Sequence, residues 1–251
     1  MIKLYSILLS FFSLSAFSLT NNITYEINII DSLSEAGVHY ESLIRAKRLY
    51  KKNPNNVEAI CRMAGTNFIK AQNETNQDKQ KKIFYYGFDY AKKALKLDSL
   101  NGYANFWYAA YSGRIGELEG IKQTILSSYD VKKYGLKAIN LIKDPYDPVY
   151  NMMGRWHYEL SDLSEIEKVF ATLIYEKLPE GSIEKAIEYF NTAVKIKPYE
   201  IRNHYWLGKS YLKAKKPKLA KKEFKVVLSL SPKDPDDEKM YAFAKKSIKS
   251  F

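Results

Sequence analysis

Ile201 to Pro232 reads IRNHYWLGKSYLKAKKPKLAKKEFKVVLSLSP, and its spacing predicts two helices folded into a hairpin. With Ile201 as position 1, Leu207 and Gly208 fall on positions 7 and 8, Tyr211 on 11, Ala220 on 20, Phe224 on 24 and Pro232 on 32. Those are the marked positions of a helix-turn-helix repeat of about 34 residues. Each has a mechanical reason. Gly208 and Ala220 are small where two helices cross, Tyr211 and Phe224 fill the space between hairpins, and Pro232 stops the second helix.

The unit resembles a tetratricopeptide repeat. Such a hairpin cannot bury its apolar face alone, so the rest of the chain must supply neighbours. Ala186, Phe190, Ala193 and Pro198 keep the second-helix spacing, and Met153-Gly154 supplies the small step on the preceding helix. Gly154 and Ala186 stand 32 residues apart, however, where the pattern spaces them by about 12. Residues 161–181 therefore read as an inserted helix, started by a capping box at Ser164 and Glu167. Gly87, Ala91 and Ala94 mark another second helix, with Met63-Ala64 on its first. Asn101 to Ser112 opens a further hairpin, whose partner KKYGLKAINLIKDP is delayed by residues 113–129. Ser42, Ala46, Leu49 and Pro54 keep the same spacing in a divergent first hairpin. Asp234 as cap and Pro235 at the first helical position predict a terminal helix over 236–250.

The expected fold is all-α. It is a tetratricopeptide-like solenoid of about five helix hairpins with two inserted helical segments, 113–129 and 161–181, and a C-terminal helix. Residues 1–18, apolar from Leu4 to Phe17 behind a single lysine, read as a signal peptide. Residues 19–251 form one domain, divided into the divergent hairpin 19–55 and the core 56–251. No membrane span remains after signal removal, and the expected location is exported, periplasmic or extracellular, in a bacterium. The Lys-, Asn- and Ile-rich composition fits an AT-rich bacterial genome.

The formal net charge is +12. From Lys209 to Phe251, 13 lysines face five acids. A basic patch at Lys209, Lys213, Lys215, Lys216, Lys218, Lys221 and Lys222 is either a solvated helix face or a site for an acidic partner. Nucleic acid is not expected, because no DNA- or RNA-binding motif accompanies the charge. His39, His157 and His204 lack metal-ligand spacing, and no phosphate loop, nucleophile elbow or HExxH motif occurs. Neither catalysis, metal nor cofactor is expected. Cys61, the one cysteine, sits on an apolar helix face between Ile60 and Met63, where a buried thiol is inert.

Twenty-one tyrosines exceed what repeat packing needs. Tyr103, Trp107, Tyr111, Trp156 and Trp206, with Arg155, either lie between hairpins or line a concave groove for an extended peptide or apolar ligand. Val169, Phe170, Leu173 and Ile174 make the second insert apolar, which fits either packing on the solenoid or a cover over a lipid-sized cavity.

Three stretches carry a more specific likeness: GELEGIKQTILSSYDVKKYGLKAINL (Gly116 to Leu141), VYNMMGRWHYELSDL (Val149 to Leu163), and EKAIEYFNTAVKIKP paired with LGKSYLKAKKPKLA. In these the chain resembles the regulator of microtubule dynamics family, whose members carry a divergent tetratricopeptide-like domain. The resemblance implies a binding role rather than an enzymatic one. It brings microtubules, organelle contact sites and, in one branch, lipids into view as partners, whereas an exported chain would not meet tubulin. The functional expectation is an exported, non-enzymatic scaffold docking a protein or peptide in its groove. The alternative is a carrier or sensor of lipid-like ligands.

Overall fold

The computed structural model describes residues 22–161 and 181–250. Helices follow one another in chain order. They are α1 (22–35), α2 (His39–Lys52), α3 (Val57–Gln72), α4 (Gln77–Leu97), α5 (Gly102–Glu119), α6 (Ile121–Leu141), α7 (Asp147–Leu160), α8 (Ile183–Ile196), α9 (Ile201–Lys213), α10 (Pro217–Ser229) and α11 (Pro235–Ile248). No strand occurs among the described residues. Their starts are written in short polar side chains that satisfy otherwise unpaired amides. Asn56, Asn76, Asn101 and Asp234 accept from the backbone N–H three residues on, at 2.8 to 3.0 Å, and Ser182 does so at 3.3 Å. Proline instead opens α7 at Pro148 and α10 at Pro217, neither of which has a side-chain cap.

Helices pair as α3 with α4, α5 with α6, α7 with α8 and α9 with α10, and each pair stacks on the next. α1 joins the array through Ile27 and Ile30, which pack with Ala46 and Leu49 of α2 and Ala59 and Met63 of α3. The odd-numbered helices meet along one side, α3 with α5, α7 with α9 and α9 with α11, and Phe106 of α5 clusters with Val149 of α7 to bridge the remaining step.

One spacing recurs on the second helices. Ser42, Ala46 and Leu49, then Gly87, Ala91 and Ala94, then Val131, Gly135 and Ala138, then Ala186, Phe190 and Ala193, then Ala220, Phe224 and Val227 are all buried at i, i+4 and i+7. That places each trio on one face. Large and small residues alternate across the crossings. A Cβ on Gly154 would lie 2.6 Å from the Phe190 ring, and one on Gly208 the same distance from Phe224. The alternation reverses at Gly87, which sits under the Tyr111 hydroxyl of the following α5.

The third hairpin shows how the chain accommodates its extra residues. Residues 113–129, expected as an inserted segment, prolong both helices. Those up to Glu119 finish α5, those from Ile121 begin α6, and Gly120 turns between them at φ +96°. Only glycine adopts that backbone without strain. The expected insert 161–181, with Ser164, Glu167 and the apolar residues Val169, Phe170, Leu173 and Ile174, lies outside the described residues except at its ends. So does the stretch read as a signal.

His204, at position 4 of the quoted repeat, is buried between the carboxylate of Glu223 (2.7 Å) and the carbonyl of Pro198 (2.9 Å). Burial alone would lower its pKa, but the hydrogen bonds to Glu223 and Pro198 outweigh it and the net shift is upward. His157 moves the other way, to about 4, because of burial and the nearby Lys185 and Lys132.

Two outcomes follow from this packing. Gly208→Ala is expected to lower unfolding stability by about 1–3 kcal/mol in denaturant titration, because the ring of Phe224 occupies the space the methyl needs. A His whose folded pKa is raised stabilises fully below its unfolded value of about 6.5 and loses that contribution as pH rises through the folded value. The difference in Tm between the wild type and His204→Gln should therefore be largest in mild acid and shrink above neutrality. A pH-independent difference would assign His204 a packing role alone.

Candidate functional site

The continuous face of first helices curves around a cavity of about 630 Å³. Its floor is α3 and the start of α5, with Tyr103 and Trp107 half-buried on it. The rim is built from the end of α1 and the starts of α7, α9 and α11. Tyr103 stands edge-on to Tyr146 at 5.2 Å, and Trp107 packs against Phe106 at 4.7 Å, so the aromatic wall is rigid.

Charged groups surround these rings. Arg62 on α3 makes a two-point contact with Asp31 of α1, at 2.7 and 3.1 Å, and also pairs with Glu58. Its guanidinium lies 5.2 Å from the Tyr103 centroid, within cation–π range. On the opposite rim Arg202 donates to Asp147 at 3.2 Å and lies 3.8 Å from Glu200. Beneath it Asn203 donates to the same Asp147 oxygen at 3.1 Å, and Asn151 donates to Asn203 at 2.9 Å. Asp147, Asn151 and Asn203 are buried, Asn203 also donates to the Ala193 carbonyl of α8 at 3.2 Å, and these shared bonds fix how α7, α8 and α9 meet. Lys197 closes the ring by reaching Glu35 of α1 at 3.3 Å, and it also lies 3.9 Å from Glu200. Asp237, whose carboxylate accepts from the Lys233 amide at 3.0 Å, is raised in pKa mainly by burial.

Of the six groove residues read from sequence, the structure brings Tyr103 and Trp107 to the cavity. The other four lie elsewhere. Tyr111 is fully buried between hairpins, its hydroxyl donating to the Ala64 carbonyl at 2.7 Å. Trp156 is buried with its indole donating to the Ser128 carbonyl at 2.8 Å. Trp206 is buried and stacked with Phe190 at 6.3 Å, and the Arg155 guanidinium caps its ring at 4.8 Å. The physical reason is common to the three rings: each lies on the flank of its helix that faces the preceding hairpin.

The basic patch lies away from the cavity, and none of its seven lysines lines it. Lys209 sits over Trp206 at 4.5 Å and within 5.1 to 5.9 Å of Tyr158, Tyr205 and Phe243, and its pKa is lowered chiefly by burial. Lys213 donates to the Tyr158 carbonyl at 2.9 Å. Lys215, Lys216, Lys218 and Lys222 are exposed around the α9–α10 turn, with Lys221 half-buried. What the sequence missed was the cavity's rim. Asp234 read there only as a helix cap, Asp147 and Glu200 drew no attention, and only the fold brings them together.

Among the described residues no group of His, Cys, Asp and Glu is arranged to hold a metal ion. Nor is any described helix long and apolar enough to cross a membrane.

A family model described as regulator of microtubule dynamics protein 1-3 matches residues 27–251. The chain is 32% identical over 193 residues to regulator of microtubule dynamics protein 1 of Pongo abelii, a match that covers 76% of this chain and 60% of that protein. It is 28% identical over 178 residues to regulator of microtubule dynamics protein 2 of Mus musculus, covering 70% and 43%. The matches thus span less than two thirds of these relatives' own length. Among solved structures it is similar to a thermophilic tetratricopeptide-repeat protein of Thermus thermophilus, with a TM-score of 0.59 and 16% identity, over 89% of this chain and 99% of that one. The mammalian relatives correct the expectation of an exported, periplasmic or extracellular bacterial protein. They are named as regulators of microtubules, which are polymers of the cell interior.

Cys61 lies at the cavity's floor with no exposed surface, and burial, reinforced by Glu58, pushes its thiol well above the ordinary range. In the native chain a disulfide reagent such as DTNB at mildly alkaline pH should leave Cys61 unmodified, and after guanidinium unfolding it should titrate one thiol per chain. Rapid native labelling would show that α3 opens readily.

Proposed function

This chain belongs to the regulator of microtubule dynamics family, and from that premise we propose that it is a non-enzymatic tetratricopeptide-type scaffold that docks a protein or peptide partner in the concave cavity. The observation that carries the reading is the cavity of about 630 Å³ with the half-buried rings of Tyr103 and Trp107 on its floor. Its size falls in the range of about 300–1,000 Å³ common to ligand sites. Rings of this kind anchor extended segments because they present much contact area and lose little rotamer freedom. The backbone that holds them is fixed by capped, closely packed helices, so the cost of ordering the site is met on folding rather than on binding.

The names of the relatives make microtubules and the proteins that travel with them the first place to seek the partner. The basic exterior, net +12 for the chain, favours approach to acidic surfaces in general. The seat itself is the cavity, not the lysine patch.

The test is a displayed library of short peptides selected against the purified chain and then against Tyr103→Ala, with melting curves confirming that the variant folds. Selected peptides should lose about tenfold or more in affinity on Tyr103→Ala. Peptides that bind both forms alike would place docking outside this cavity and sink the reading.

A further inference from the structure

Resting on the docking reading above, we infer that the segment seated in this cavity is cationic, a stretch of another protein that inserts lysine or arginine side chains. In a chain of net charge +12, the cavity is lined by seven carboxylates and four cations among the described residues, a local balance of −3. The sign is therefore opposite to that of the molecule around it.

The pairing shows why the excess is real rather than a matter of counting. Each of three lining cations is shared by two carboxylates: Arg62 by Asp31 and Glu58, Lys197 by Glu35 and Glu200, and Arg202 by Asp147 and Glu200. Three cations thus serve five carboxylates, and although Glu200 meets both Lys197 and Arg202, the set as a whole is left short of positive charge. At the start of α11, Asp234, Asp236 and Asp237 add three more acids, with Lys233 the lining cation beside them, while Lys239, outside the lining, pairs with Asp236 at 2.9 Å. The helix terminus offsets part of that charge. Asp237 is raised in pKa chiefly by burial, which the Lys233 amide opposes, with Asp234 and Glu200 adding a smaller like-charge contribution.

A second observation points to the same ligand. The cavity already holds one guanidinium in the manner proposed, since Arg62 is gripped at two points by Asp31 while its Cζ lies 5.2 Å from the Tyr103 ring centroid. Carboxylates beside an aromatic floor make a site for another such group. Glu35 is mostly exposed at the rim, where a partner's cation can take the place of Lys197. An anionic segment would instead have to approach the lining acids without relief, a repulsion that serves selectivity.

The experiment uses the full chain and two short fluorescein-labelled peptides, one alternating lysine with alanine and one with glutamate in place of each lysine. Fluorescence anisotropy at low salt should register the lysine peptide alone, with affinity falling as salt is raised. The double variant Glu35→Lys with Asp236→Lys should weaken it by roughly tenfold. Lys218→Glu with Lys222→Glu, on the distant α10 face, should not. Equal or tighter binding of the glutamate peptide, or indifference to the rim variant, overturns the inference. If library peptides still bind through Tyr103 while the lysine peptide does not, the charge inference fails and the docking reading stands. If neither binds, both fail.

Discussion

The close approach of helices at glycine notches filled by a ring is what the rest of the molecule depends on. Phe190 over Gly154 and Phe224 over Gly208 bring the two helices of a hairpin nearer than any side chain at the glycine would allow. Dispersion and burial reward that distance, and both fall away quickly if the fit is lost. Because the buried trio at i, i+4 and i+7 recurs on successive second helices, the same crossing repeats down the chain. A repeated crossing turns each hairpin by a similar amount, so the first helices lie side by side and their shared face becomes concave. The cavity is a by-product of packing, and its aromatic floor inherits the rigidity of that packing.

The hairpin order was legible because packing and punctuation leave marks at fixed intervals. Leu207, Gly208, Ala220 and Phe224 are all buried where the repeat pattern places them, and Asp234 caps the last helix. Two features were less legible for physical reasons. A helix lengthened at its tip changes the spacing between marks just as an insertion does, and α5 and α6 took the first route through Gly120. An aromatic residue on an odd-numbered helix reads the same whether it faces the groove or the neighbouring hairpin. Tyr111 and Trp206 face the neighbour, and Tyr103 and Trp107 face the groove.

Charge was misleading in a different way. The most conspicuous run, between Lys209 and Lys222, is continuous in sequence and wraps around the α9–α10 turn, where Lys209 is engaged by aromatic rings. The acids that set the sign of the cavity are scattered from Asp31 to Asp237 and stand mostly where helices end or begin. Acids at helix starts are favoured by the helix dipole whatever else they do. Only the curvature of the array gathers them, so the fold carries information about the site that no local stretch contains.

Lys197 and Glu35 are 162 residues apart in the chain, and their contact spans the mouth of the array. In an open stack of hairpins every contact is local, and assembly can start anywhere and spread outward. Contacts between distant segments must wait for the chain between them to be placed, and they slow the final stage of folding. A chain emerging from the ribosome would complete its early hairpins with the Glu35 end of α1 still facing solvent. The concave face would acquire its far wall only when the loop before α9 had been made.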